Sequence, residues 1–204
     1  MDVQEKPKGK LRTGFTTGTS ATAASTAAIL SIINQKKIES VDVLLPKKDR
    51  IKININSCKF DKNKARCSVI KDGGDDPDVT HDAEIVVDLE LTTKPNSIEI
   101  DGGEGVGRVT KPGIGLDIGQ AAINPTPRKM IGENLTKVSK KILEKNGIKV
   151  VISVPKGKEL GPKTDNPRIG IVDGISILGT SGIVIPYSTA SFAAAIRQQI
   201  DVVV

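Results

Sequence analysis

Helices interleaved with short hairpin strands, the α+β class, are what this 204-residue sequence predicts. Three observations carry the prediction. Residues 19–34 form an uncharged run of Ala, Ser and Thr behind a Gly/Thr loop, the pattern of a helix that starts at a hydroxyl cap and has no polar face. Ile51, Ile53 and Ile55 alternate with Lys52, Asn54 and Asn56, the period of a strand. Pro125 and Pro127 lead a segment whose Ile131, Leu135, Val138 and Ile142 share one helical face.

In chain order, residues 1–12 are charged and lack the apolar stretch of a secretory signal. No stretch approaches the ~20 apolar residues of a membrane helix, so the cytoplasm is the expected setting. After the first helix, residues 41–45 read as a strand closed by Pro46. The 51–55 segment and a second strand at 65–70, separated by a polar turn at 61–64, are expected to make a hairpin. With Lys62 and Asn63 at the turn centre, Cys58 and Cys67 fall opposite each other and are expected to be reduced thiols. Strands at 83–92 and 97–100 precede a Gly-rich segment, 101–119. The helix opened by the prolines is expected to end with Gly147 at its C′ position, followed by a strand at 148–154. A second Gly/Thr loop, 178–182, leads through short strands to a helix at 189–200. Asp201 and the three valines after it read as a strand just beginning, as though the chain were cut there. One domain over residues 1–204 is expected.

Composition narrows the function. The net charge is +6, yet residues 72–104 hold eleven acids against one lysine, leaving the rest strongly basic. Three Phe, one Tyr and no Trp leave no aromatic platform for stacking bases. No nucleic-acid partner is expected, and no membrane partner either.

Four stretches hold the candidate chemistry. Thr16, Thr17, Gly18 and Thr19 sit at a helix N-terminus, where N–H groups, hydroxyls and the dipole suit a carboxylate or phosphate. Gly179, Thr180, Ser181 and Gly182 repeat that chemistry. Residues 72–82 hold five carboxylates and the only histidine, His81, a general acid or base by residue type. Close carboxylates repel unless something compensates. A hard cation such as Mg²⁺ is one answer, which would make the protein a metal-dependent hydrolase, although the spacing is not that of an EF-hand. A non-catalytic module for anionic ligands is a further alternative. The glycines at 102–107 look like a dinucleotide fingerprint but are followed by Arg108, Lys111 and Pro112 instead of a helix. Arg108, Lys111, Arg128, Lys163 and Arg168 lie in or beside loops, where guanidinium and ammonium groups capture carboxylates. Lys137, Lys141 and Lys145 form a row that reads as a solvated helix face.

Four stretches in order, LRTGFTTGTSATAA, VIKDGGDDPDVTHDAEI, GVGRVTKPGIGLDIGQAAINPTPRKMI and NPRIGIVDGISILGTSGIVIPYS, resemble the cobalt-precorrin-5B (C1)-methyltransferases of anaerobic cobalamin biosynthesis. The resemblance implies methyl transfer from S-adenosylmethionine to ring carbon C-1 of a corrinoid whose cobalt belongs to the substrate, so no metal site is expected in the protein. It also implies the family's own mixed fold, with antiparallel hairpins and a buried small-residue N-terminal helix, and not a Rossmann domain. Asp75, Asp76, Asp78 and His81 are the catalytic candidates, as proton acceptor or as acids holding the cationic donor. Thr16, Thr17, Gly18, Thr19, Thr80, Arg108, Lys111, Asn166, Arg168, Gly179, Thr180, Ser181 and Gly182 are the substrate-binding candidates, facing a ligand with many acetate and propionate arms. The chain departs from the family pattern at Ser20, where Cys is common, at Asp82, where a small residue is usual, and at Ile185, where Glu precedes the proline. Family chains generally continue into a further domain after the last helix. A homo-oligomer is compatible with this reading.

Overall fold

The computed structural model describes residues 9–203. A two-residue strand, β1 (Gly14–Phe15), enters helix α1 (Thr17–Asn34). The hairpin β2 (Ser40–Leu44) and β3 (Arg50–Asn54) follows, then β4 (Ser57–Phe60), β5 (Lys64–Ile70), β6 (Glu84–Thr92), β7 (Ile98–Gly102) and the short β8 (Arg108–Val109). Helix α2 (Pro125–Leu143) leads to β9 (Gly147–Ser153). A one-turn helix α3 (Gly157–Leu160), the short strands β10 (Ile171–Val172) and β11 (Ile183–Val184), and helix α4 (Thr189–Val203) complete the chain.

The central sheet runs β4-β5-β6-β9-β7, antiparallel except for the parallel β7–β9 pair. Helices on a mostly antiparallel sheet, with one parallel β7–α2–β9 crossover among the described residues, make this an α+β fold and not a Rossmann one. Helix α1 lies between that sheet, α2 and β2, and it is buried from Thr17 through Ile29. That position explains the sequence. A helix enclosed on all sides needs no polar face, and Ala, Ser and Thr let the neighbouring elements approach closely. Its hydroxyls bond back to carbonyls of the preceding turn, as Thr22 to Gly18 (2.8 Å), Ser25 to Ala21 (2.7 Å) and Thr26 to Thr22 (2.8 Å). On α2, Ile131 and Leu135 are fully buried and Val138 and Ile142 pack against the same core, while Lys137 and Lys141 are exposed, as is Lys145 just past the helix end.

Four local expectations are corrected. The 51–55 strand pairs with β2, and the hairpin across the 61–64 turn is built from β4 instead, because Asn56 bends the chain and donates its N–H to Ser68. Cys58 and Cys67 are direct partners in that β4–β5 register, both buried and free. Helix α1 begins two residues earlier, capped by the Thr16 hydroxyl, which accepts from the Thr19 N–H. Gly147 does not cap α2. It opens β9, where Thr92, Lys94 and Ser97 crowd the space a Cβ would occupy. Asp201 and the following two residues continue α4 and do not start a strand, while Val204 lies outside the described residues.

Candidate functional site

The site forms where distant loops meet the N-terminus of α1. β1 pairs antiparallel with β11, Gly14 opposite Val184 and Phe15 opposite Ile183, and the Phe15 N–H donates to the Asp72 carbonyl at 2.8 Å. A Cβ on Gly14 would collide with the Asp72 and Gly73 backbone, so only glycine lets the acidic loop approach. The second Gly/Thr loop docks on the first. The Gly18 N–H donates to the Leu178 carbonyl (3.0 Å), the Leu178 N–H donates to the Thr17 hydroxyl (2.9 Å), and the Thr19 hydroxyl donates to the Gly182 carbonyl (2.7 Å). Gly179 comes directly against Thr16. The two loops read from sequence as paired anion sites thus spend much of their polar capacity on each other. Ser181 closes its own turn with Ile183, and Thr180 borders a separate groove beside Lys48 and Glu133.

In the acidic loop, each group has a distinct assignment. Asp72 pairs with the Arg12 guanidinium, accepts the Gly74 N–H, and is held below the usual carboxylate range chiefly by Arg12. Asp75 accepts the Arg12 backbone N–H at 2.6 Å, and Asp76 accepts the Tyr187 N–H at 2.8 Å. Neither has a cationic side-chain partner among the described residues. His81 Nδ1 accepts the Gly73 N–H at 2.9 Å, which leaves Nε2 to carry the ring proton near Asp82 (3.5 Å). Among the described residues, no three His, Cys, Asp or Glu side chains are grouped to share a metal ion.

Asp78 is different. It turns inward, where burial pushes its carboxyl up but the Lys71 ammonium and the two donors of Thr80 outweigh burial, so the net direction is down. Lys71 donates to Asp78 Oδ2 at 2.6 Å, and Thr80 gives both its N–H (2.7 Å) and its hydroxyl (2.6 Å) to Oδ1. Lys71 is 1% exposed, the largest fully buried side chain described. Sequence reading passed over it because it stands one residue before the acidic run, and a lone lysine in a charged loop carries no signal of burial.

Lys71, Asp78 and Thr80 border a cavity of about 250 Å³ together with Thr16, Thr17 and Asn124. Asn166 and Ser176 enclose another part of it, joined to each other at 2.9 Å, with the Asn166 amide donating to the Gly174 carbonyl at 3.0 Å. Ile169, Ile171 and Ile175 contribute apolar lining, and Ala195 and Gln198 of α4 also border the space. The structure thus gathers Thr16, Thr17, Thr80, Asp78 and Asn166 around one space. It leaves the basic candidates elsewhere. Arg108 binds Asp101 (3.0 Å) and the Gly102 carbonyl (2.6 Å), Arg168 pairs with Asp165 at 3.1 Å, and Lys111 lies against Gly170. Arg128 is committed to the carbonyls of Ile123 and Ile100.

The model of the CbiD family matches residues 3–186. The cobalt-precorrin-5B C(1)-methyltransferase of Geobacillus kaustophilus is 49% identical over 195 residues, 96% of this chain and 52% of that protein. The protein of the same name from Priestia megaterium is 47% identical over 201 residues, 98% of this chain and 54% of that one. The one from Picrophilus torridus is 48% identical over 185 residues, covering 91% and 54%. The chain spans about half the length of the curated relatives it matches. A crystal structure of the cobalamin biosynthesis protein CbiD from Archaeoglobus fulgidus superposes with a TM-score of 0.65 at 33% identity, over 94% of this chain and 60% of that one.

Proposed function

This chain belongs to the CbiD family, and from that membership we propose that it takes part in S-adenosylmethionine-dependent methyl transfer to ring carbon C-1 of cobalt-precorrin-5B, in the cytoplasm. The observation that carries the reading is the extent of likeness: identity near one half over nearly the whole chain, to proteins named for that reaction. The cavity supports it with chemistry suited to one part of such a ligand set. S-adenosylmethionine, when bound, supplies a methyl carbon on a positively charged sulfur.

At about 250 Å³ the cavity falls below the ~300–1,000 Å³ of complete small-molecule sites, so it suits one arm of a ligand and not the whole of donor or macrocycle. The rest of each ligand would extend beyond it. Asp78, already neutralised by Lys71, is a poor partner for a sulfonium. Asp75 and Asp76 form no ion pair with a lysine or arginine among the described residues and are the carboxylates proposed to face that sulfonium. The contribution proposed for this chain is positioning: holding donor and acceptor carbon in line lowers the barrier to a direct displacement.

The test is incubation of the purified chain with methyl-labelled S-adenosylmethionine and cobalt-precorrin-5B. Label in the corrinoid at C-1, with S-adenosylhomocysteine released, is the expected result. A folded chain that transfers no label and binds neither compound overturns the reading.

A further inference from the structure

The cavity beside α1 is bordered by a buried ammonium with more hydrogen-bond donors than acceptors around it. Lys71 is 1% exposed, and an ammonium carries three N–H donors. Among the described residues Asp78 is its one side-chain partner, so two N–H directions lack an acceptor. Asp78 cannot take more, since Thr80 holds its other oxygen twice. Two helix N-termini also border the space. Thr16 and Thr17 bring the positive end of α1, and Asn124 brings that of α2, where its side chain makes no capping hydrogen bond. The rest of the wall is mixed: Ile169, Ile171 and Ile175 are apolar, Asn166 and Ser176 are polar, and the Asp165 carboxylate is paired with Arg168 at 3.1 Å.

An ammonium backed by two helix dipoles, beside three isoleucines, describes a receptor for a negative oxygen pair on a short hydrocarbon stem. We propose that this cavity is a subsite for an aliphatic carboxylate, received by the two Lys71 N–H groups that Asp78 leaves free. Lys71 then bridges two carboxylates. The net negative charge of that trio is offset by the helix ends and by the Thr80 donors, which draw the Asp78 charge to its far oxygen. A neutral ion pair with no helix ends would have favoured an amide or hydroxyl instead. The source of the arm rests on the methyl-transfer reading, which offers two: the methionyl end of the donor, or an acetate or propionate side arm of the corrinoid.

The first arm of the test is independent of that reading. The Lys71 ammonium signal of the ¹⁵N-labelled chain, assigned with Lys71→Arg, is followed by NMR while butyrate, butyramide or butylammonium is added. A saturable shift with butyrate alone is expected. Equal responses to butyrate and butyramide, or no response to either, overturn the proposal. The second arm distinguishes the sources by calorimetry. S-adenosylhomocysteine is compared with methylthioadenosine, which lacks the amino-acid arm, and cobyrinic acid with its methyl ester. The ligand whose arm enters should lose at least tenfold in affinity in Lys71→Met/Asp78→Asn, while its arm-less or esterified counterpart is unaffected. The double variant removes both charges together, and so avoids stranding a buried carboxylate. Equal affinities of every ligand for the folded double variant and the original chain overturn the proposal. If Lys71 responds to butyrate but neither larger ligand binds, the subsite stands and the methyl-transfer reading falls. If the larger ligands bind while Lys71 stays silent, the subsite falls and that reading stands.

Discussion

Thr17 and Leu178, 161 residues apart, lock together: the Leu178 N–H donates to the Thr17 hydroxyl at 2.9 Å, beside a Gly18 N–H that donates to the Leu178 carbonyl at 3.0 Å. The Thr17 hydroxyl in turn donates to the Ser176 carbonyl at 3.2 Å. This exchange joins the two Gly/Thr loops and fixes one wall of the cavity. Thr17→Val preserves shape but strands the half-buried Leu178 N–H and the buried Ser176 carbonyl, at a cost of about 1–3 kcal/mol. Thr17→Ser should retain most of that stability. Urea denaturation of the two variants checks the difference.

The glycines at 102–107 serve backbone packing, not a nucleotide. Gly105 has φ +70°, and its carbonyl lies against both Gly157 and Gly174. A methyl group at Gly174 would meet that carbonyl, whose position is set by backbone on both sides. Gly174→Ala is expected to destabilise by about 1–3 kcal/mol through overpacking. Gly132, in the interior of α2 with nothing near its would-be Cβ, should behave oppositely. Gly132→Ala should gain about 0.5–1 kcal/mol. Thermal unfolding of both variants tests the contrast.

Acid should act through Asp78. Burial raises its carboxyl, and Lys71 with Thr80 more than reverses this, so the folded value lies below the unfolded one. A depressed carboxylate contributes stability that is present above its unfolded value, near ~3.9, and lost as pH falls through the folded value. The loss therefore falls below about pH 4. Thr80→Val removes the hydroxyl donor and should move the acid limb to higher pH, read as melting temperature against pH. Asp72 shares the direction, chiefly through Arg12, but faces solvent, where screening leaves little effect on stability.

Cys67 should resist alkylation. Burial, first, and the neighbouring Cys58 push its thiol well above the ordinary range, while a hydrogen bond with Ser31 opposes them weakly. The reactive form is the thiolate. Iodoacetamide at about pH 8 should leave Cys67 unlabelled in the native chain and label it in denaturant, as peptide mass spectrometry would report.

How much was legible in the sequence depended on where each signal came from. Helix α1 could be read because an uncharged run of small residues has one structural use, enclosure. The Cys58–Cys67 register could be read because period two and a four-residue turn fix it. The partner of the 51–55 strand could not, since Val41 and Ala65 offer similar alternation and only the bend at Asn56 decides between them. The candidate site was half legible. Thr16, Thr17, Asp78, Thr80 and Asn166, candidates from separate stretches of the sequence, line one cavity, whereas Arg108 and Arg168 are claimed by local acids that composition did not single out. Lys71 was invisible because burial of a charge is a property of tertiary packing, and its pairing with Asp78 spans a loop whose turn is set by Thr80 and His81.

Asp76 offers the cleanest separation of tether from chemistry. Its Oδ1 accepts the Tyr187 N–H at 2.8 Å, joining the acidic loop to the segment before α4. Asp76→Asn keeps an acceptor oxygen in that place and removes only the charge. Asp76→Ala removes both. If the charge faces a cationic methyl donor, Asp76→Asn should unfold at the same urea concentration as the original chain while labelled-methyl transfer drops at least tenfold, about 1.4 kcal/mol of barrier. If the carboxylate is only a tether, Asp76→Asn should transfer methyl groups normally, and Asp76→Ala alone should lose stability, by about 0.5–1.5 kcal/mol for one partly exposed hydrogen bond. Unchanged transfer in Asp76→Asn removes Asp76 from the catalytic set and leaves Asp75, bound to the Arg12 backbone N–H, as the remaining catalytic candidate in this loop that forms no ion pair with a lysine or arginine among the described residues.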